Sequence, residues 1–210
     1  QNLMPPGAEI GMLHAYVLAQ GDRLGNFPQW LAMAASLVGA GAIARLLGAT
    51  RVGQLAAAAF VATLPMGIAQ ATSTMTDYVV AFWVLCVAFE TLSLVLQGPS
   101  ERMDVLPLGL AAGLAILAKP TAFPYLAPFA LVVAIVILRR RGILALLASA
   151  GIAVALVLVV NAGYLGRNLV TYGNPLGSAG KVDTHSNEIF NGVVIASNLI
   201  RNASLHAGTP

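Results

Sequence analysis

Charge is what this sequence has least of. Only 9% of its 210 residues are Asp, Glu, Lys or Arg, while 58% are hydrophobic; a soluble domain carries about 25% charged residues. So few charges cannot cover a globular surface, which excludes an ordinary water-soluble domain. The mean hydropathy of +0.82 also excludes intrinsic disorder, which belongs to chains of low hydrophobicity. Cysteine is nearly missing. Cys86 stands alone, so no internal disulfide forms and no redox compartment follows. The histidines, His14, His185 and His206, lack zinc-ligand spacing, and no metal site built on His and Cys is expected. The formal charge is +3. Basic residues of a membrane chain gather in cytoplasmic loops, so this excess does not point to nucleic acid.

What is present is apolar sequence in long blocks. A helix needs roughly 17–25 apolar residues to cross the hydrocarbon. Residues 30–47, 54–71, 78–97, 121–138 and 143–162 supply such runs, and 105–118 is a shorter one with Pro107 in its first turn. Lys119-Pro120 interrupts the chain between the last short run and 121–138. A lysine followed by proline is costly inside lipid, so two helices joined by a tight turn are predicted. One long broken helix is the alternative, and it would invert everything upstream. Residues 8–20 are too short to span and suit a helix lying in the interface. The predicted fold is all-α, a polytopic bundle of about six spans plus an interfacial helix. Its parts are an interfacial outer segment at 1–29, a transmembrane region at 30–163 and an outer-face loop at 164–210. The chain is read as an excerpt of a longer protein.

Orientation follows from lysine and arginine in short loops. Arg139-Arg140-Arg141 is the one dense basic cluster and assigns its loop to the cytoplasm. Alternation then puts Arg45, Arg51 and Arg102 inside. Asp22, Arg23, Asp77, Lys119, Arg167 and the polar stretch from Asn168 onward fall outside. Gly109 and Gly113 form a GxxxG pair that lets helix backbones approach in lipid.

The outer residues are the chemical candidates. Asp77 opens the 78–97 helix, where a carboxylate commonly caps a helix N-terminus; it also suits an acid lining a wet outer pocket. Lys119 either snorkels to headgroups or, with Arg167, holds a lipid phosphate. Tyr172 and Arg167 are ordinary interfacial anchors, and Gly173-Asn174-Pro175 is a turn signal. Glu9 and His14 on the first segment border the same outer region. Glu90, well inside its helix, is costly in lipid and is what a transporter would use.

In order along the chain, four stretches resemble the bacterial relatives of the dolichyl-phosphate-mannose–protein mannosyltransferases, of the GT-C superfamily. They are Pro5-Pro6-Gly7-Ala8-Glu9, Thr74-Met75-Thr76-Asp77, Leu117-Ala118-Lys119-Pro120, and Arg167-Asn168 with Tyr172-Gly173-Asn174-Pro175. The resemblance implies a multi-pass protein of the bacterial inner membrane with its site facing the periplasm or exterior. It implies a polyprenyl-phosphate-linked sugar as donor and a glycan, lipid or protein as acceptor, within membrane lipids and without nucleic acid. Asp77 would match the acid of the second outer loop, shaping the acceptor region and leaving room for a divalent cation. Lys119 would match a basic position near the lipid phosphate, assisted by Arg167, with Glu9 and Tyr172 as further substrate-binding residues. The family's principal base would lie upstream of Gln1. A secondary transporter and a non-catalytic membrane scaffold are the rival readings.

Overall fold

A computed structural model of the chain describes residues 5–97, 105–177 and 191–207, the side chains of 206 and 207 excepted. The loop 98–104 with Arg102, and the part of the expected outer loop at 178–190 with His185, lie outside the described residues. Regular structure among the described residues is entirely helical. The helices are α1 (Gly7–Ala19), α2 (Phe27–Leu46), α3 (Arg51–Ala62), α4 (Pro65–Ala71), α5 (Asp77–Gln97), α6 (Val105–Ala118), α7 (Ala122–Arg141), α8 (Ile143–Tyr172) and α9 (Gly192–Ala207).

Four helical stretches are long and apolar enough to cross a bilayer: Asp22–Leu46, Asp77–Gln97, Ala122–Arg141 and Ile143–Tyr172. The run expected at 54–71 is not one straight helix. It divides into α3 and α4, bent by 68°. Pro65 explains the break, because it has no N–H and its ring would collide with the carbonyl of Val61. Taken together the bent pair would be a fifth crossing. The sixth expected run is the short α6, separated from α7 by residues 119–121 as predicted.

The packing is turned inside out relative to a soluble protein. Large apolar side chains such as Val38, Leu144 and Val159 are exposed, while the largest fully buried side chains are the amides of Gln29, Asn161 and Asn168. Hydrocarbon solvates a leucine well but leaves an amide unpaired, so amides go inward and aliphatic groups outward. Small residues make the close contacts. A methyl group at Gly109 would lie 3.2 Å from the Cα of Ala153, and one at Gly113 would lie 3.3 Å from the Cα of Val157. The GxxxG pair therefore seats α6 directly on the α8 backbone. Asn161 locks that seam by donating to the Gly113 carbonyl at 3.1 Å.

Contacts along the helices fix their directions. Tyr78 at the start of α5 meets Gln29 at the start of α2, and Leu85 further along faces Gly39, so α2 and α5 run parallel. The Lys119–Asp77 contact brings the end of α6 to the start of α5. Arg140, at the end of α7, reaches Leu94 and Val95 near the end of α5. Thus α6 runs against α5, while α7 runs with it. Gly109 and Gly113 meet successive turns of α8 in the same order, so α6 and α8 are parallel.

Two ends result. One carries Arg45, Arg51 and Arg139–Arg141; the other carries Asp77, Lys119 and the last turns of α8. α1 lies at the second end: Gly7 packs against Leu117, and Gly11 against Pro28.

Candidate active site

The second end gathers residues from several helices. At its centre Lys119 Nζ donates to Asp77 Oδ1 at 2.6 Å, with side chains 36% and 40% exposed. Lys119 follows the last residue of α6, and Asp77 is the first of α5. Among the described residues neither group has another hydrogen-bonding or ionic partner. An ion pair this exposed contributes about 0–1 kcal/mol. It is too weak to be a fold-holding device, and a competing anion can open it.

Asp77 does not cap its own helix, one of the two roles expected for it. The Tyr78 and Val79 N–H groups donate instead to Oε1 of Gln29, at 2.9 and 3.2 Å. Gln29 Nε2 donates to the Gln70 carbonyl at 3.3 Å. Gln29 is fully buried, and sequence reasoning missed it. The available signal was an amide in the first turn of an apolar span, which lipid tolerates only where the amide finds partners.

The other expected residues do not join this pair. Asn161 marks the level of Gly113 on α8, and Lys119 and Arg167 lie equally far beyond those two residues. They therefore stand at the same height on parallel neighbours. The Arg167 guanidinium lies 5.6 Å from the ring centroid of Tyr164 and makes no bond to Asp77. Arg167 and Tyr172 sit on the final turns of α8, which stays helical to Tyr172; the loop expected from residue 164 begins only after it. Gly173, at φ +68°, ends the helix, and the buried Asn168 donates to the Pro175 carbonyl to fold the turn back. Glu9 is exposed one residue after Ala8, which packs in a cluster with Ala115, Ala118 and Ala122. His14 bonds within its own helix, to the Ile10 carbonyl at 2.7 Å.

A cavity of about 500 Å³ opens beside Asp77. Gln70, Tyr78 and Asn202 give it polar groups, and Leu64, Met66 and Leu85 give it apolar walls; among the described residues no lysine or arginine lines it. The Oε1 atom of Gln70 is buried there without a partner. Glu90 lies elsewhere, in a second crevice of about 420 Å³ between α2 and α5. Among the described residues these side chains do not form a divalent-cation site. Asp77 faces an ammonium group, and among the described residues no three His, Cys, Asp or Glu side chains cluster.

Neither a curated protein nor a solved structure matches this chain. A family match covers residues 10–164, which include Asp77 and Lys119 but not Glu9, Arg167 or Tyr172. With that match over most of its length, this helical membrane chain belongs to the dolichyl-phosphate-mannose-protein mannosyltransferase family, a family of membrane glycosyltransferases.

Proposed function

We propose that this protein transfers a sugar from a polyprenyl-phosphate-linked donor to an acceptor at the outer face of a bacterial inner membrane, with Asp77 and Lys119 in its active site. One observation carries the reading: the exposed Lys119–Asp77 pair joins α5 to α6 at the end opposite the arginine cluster. The positive-inside tendency of short loops supports the cytoplasm for Arg139–Arg141 and the outer face for the pair.

The chemistry follows from the groups. In the transfer, the bond between the sugar's anomeric carbon and the phosphate oxygen breaks, and a bond to the acceptor oxygen forms. The departing phosphate carries the negative charge, and the acceptor's proton passes to a base. A positioned cation stabilises that leaving group, and Lys119 is the cation at the centre of the site. Asp77 holds the ammonium in place before the donor arrives and yields it as the phosphate approaches. The cavity beside Asp77, lined by no lysine or arginine among the described residues and holding an unpartnered amide oxygen, suits a neutral hydroxyl-bearing acceptor. Arg167, at the height of Lys119, is a second contact for the donor. Glu9, on α1 at the same end, and Tyr172, in the last turn of α8, are given lesser roles in substrate binding.

The test is sugar transfer by the full-length protein in nanodiscs, with a polyprenyl-phosphate-linked sugar as donor. Lys119→Ala and Asp77→Asn are expected to lower the rate while expression and folding persist. Wild-type turnover in both variants would remove the pair from the mechanism.

A further inference from the structure

We propose that Gln29 is a positioning residue: it takes over the capping of α5 so that the Asp77 carboxylate is left for Lys119. This rests on the reading of Asp77 as an active-site acid. The first N–H groups of any helix lack partners within it, and a side chain just before or at the helix start normally accepts from the second or third of them. In α5 those are the N–H groups of Tyr78 and Val79, and both are taken by one oxygen of Gln29 from another helix. Thr76, which precedes the helix, accepts from neither, and Asp77 points to Lys119.

The amide of Gln29 can face only one way. Its oxygen meets two donors, and its nitrogen meets the Gln70 carbonyl at the end of α4. A reversed amide would set donor against donor on one side and acceptor against acceptor on the other. Gln29 therefore bridges the end of α4 and the start of α5 from a fully buried position, and residues 72–76 form the connection between them. Without its oxygen the two N–H groups need another acceptor. The local ones are the side chains of Thr76 and Asp77, and a carboxylate is the stronger acceptor at a helix N-terminus. Asp77 would then turn back on its own helix and release Lys119.

Labelling of Lys119 reports this without requiring turnover. An amine donating to a carboxylate is a poor nucleophile, because its lone pair is committed to the shared proton. The full-length protein in nanodiscs would be treated with a trace of acetic anhydride at fixed pH, and acetylation at Lys119 read by mass spectrometry. Asp77→Asn sets the released level. Gln29→Met removes the acceptor, and Gln29→Asn withdraws it by one methylene; both are expected to raise labelling at least threefold, towards the Asp77→Asn level. Gln29→Glu loses the donor to Gln70 but keeps an acceptor oxygen for the two N–H groups, and is expected to stay within twofold of wild type. Adding Gln29→Met to Asp77→Asn should add nothing, since the carboxylate that would be diverted is gone.

Wild-type labelling in folded Gln29→Met or Gln29→Asn overturns the proposal. So does extra labelling in the double variant, which would mean that Gln29 loosens the fold rather than directs Asp77. If Gln29→Met does not fold, the Glu and Asn variants decide: equal labelling in the two overturns the proposal. Transfer activity measured on the same samples separates the two questions. A labelling pattern as expected, with no transfer by wild type, removes the enzymatic reading and leaves the positioning intact.

Discussion

The two ends of α5 solve the same problem with opposite chemistry. Each end of a helix leaves backbone groups unpaired, and each end of α5 receives a side chain from another helix. At the Leu94–Val95 end the partner is Arg140, whose guanidinium donates to both carbonyls at 3.3 and 3.0 Å. A cation there also suits the negative pole of the helix. At the Asp77 end a cation would be wrong and a carboxylate is available one residue away, yet the acceptor is the neutral amide of Gln29. The arginine end uses its charge on the fold. The other end caps with an uncharged group and keeps its charges, Asp77 and Lys119, on each other and on water. Held-back charge of that kind is what the proposed site requires; charge committed to backbone carbonyls serves the fold.

Several substitutions would break or sharpen this contrast. The largest effect is expected from Lys119→Ala, with a loss of roughly 100-fold in initial transfer rate, the scale for removing one group that stabilises developing charge. Thermal unfolding should barely change, because the exposed pair contributes about 1 kcal/mol or less. Next comes Gly113→Leu, which drives a side chain into the α8 backbone at Val157. It should lower stability by about 1–3 kcal/mol, measured by unfolding in mixed detergent, and activity should fall with it because α6 carries Lys119. Arg140→Ala should show the reverse of Lys119→Ala: roughly 1 kcal/mol of stability lost, and a transfer rate within about threefold of wild type at a temperature where the variant is folded. A tenfold loss of rate there would erase the distinction between the two ends. The smallest effect is expected for Glu9→Gln, less than about twofold in rate, since an exposed side chain without a partner changes little.

Much of the fold was legible because lipid imposes simple rules. Run length gave the helices, and Lys119-Pro120 gave the break between α6 and α7. Arg139–Arg141 marked one end. The GxxxG pair marked a seam that the structure places against α8. Pro65 was equally legible and was passed over, since a hydropathy average treats proline in an apolar run as one more residue. The end of α8 was misjudged for a physical reason. Asn161 and Arg167 lower the hydropathy, but Asn161 is paired with α6 and the 30 residues of α8 make a helix of about 45 Å, longer than the roughly 30 Å hydrocarbon. Polar residues there leave the membrane without leaving the helix. Asp77 and Lys119 were each visible as single residues. Their meeting was not, because 42 positions separate them and no local pattern connects them. Gln29 was hidden by its ordinariness; only the packing shows two backbone N–H groups waiting for it.

The separation along the chain has a consequence for biosynthesis. Gln29 leaves the ribosome before α5, while Lys119 follows Asp77 by 42 residues, which at about 5–20 residues per second is a delay of roughly 2–8 s. As α5 enters the membrane its cap already exists but its lysine does not. The carboxylate must spend that interval in water or among headgroups, and the arrival of α6 is the step that completes the pair.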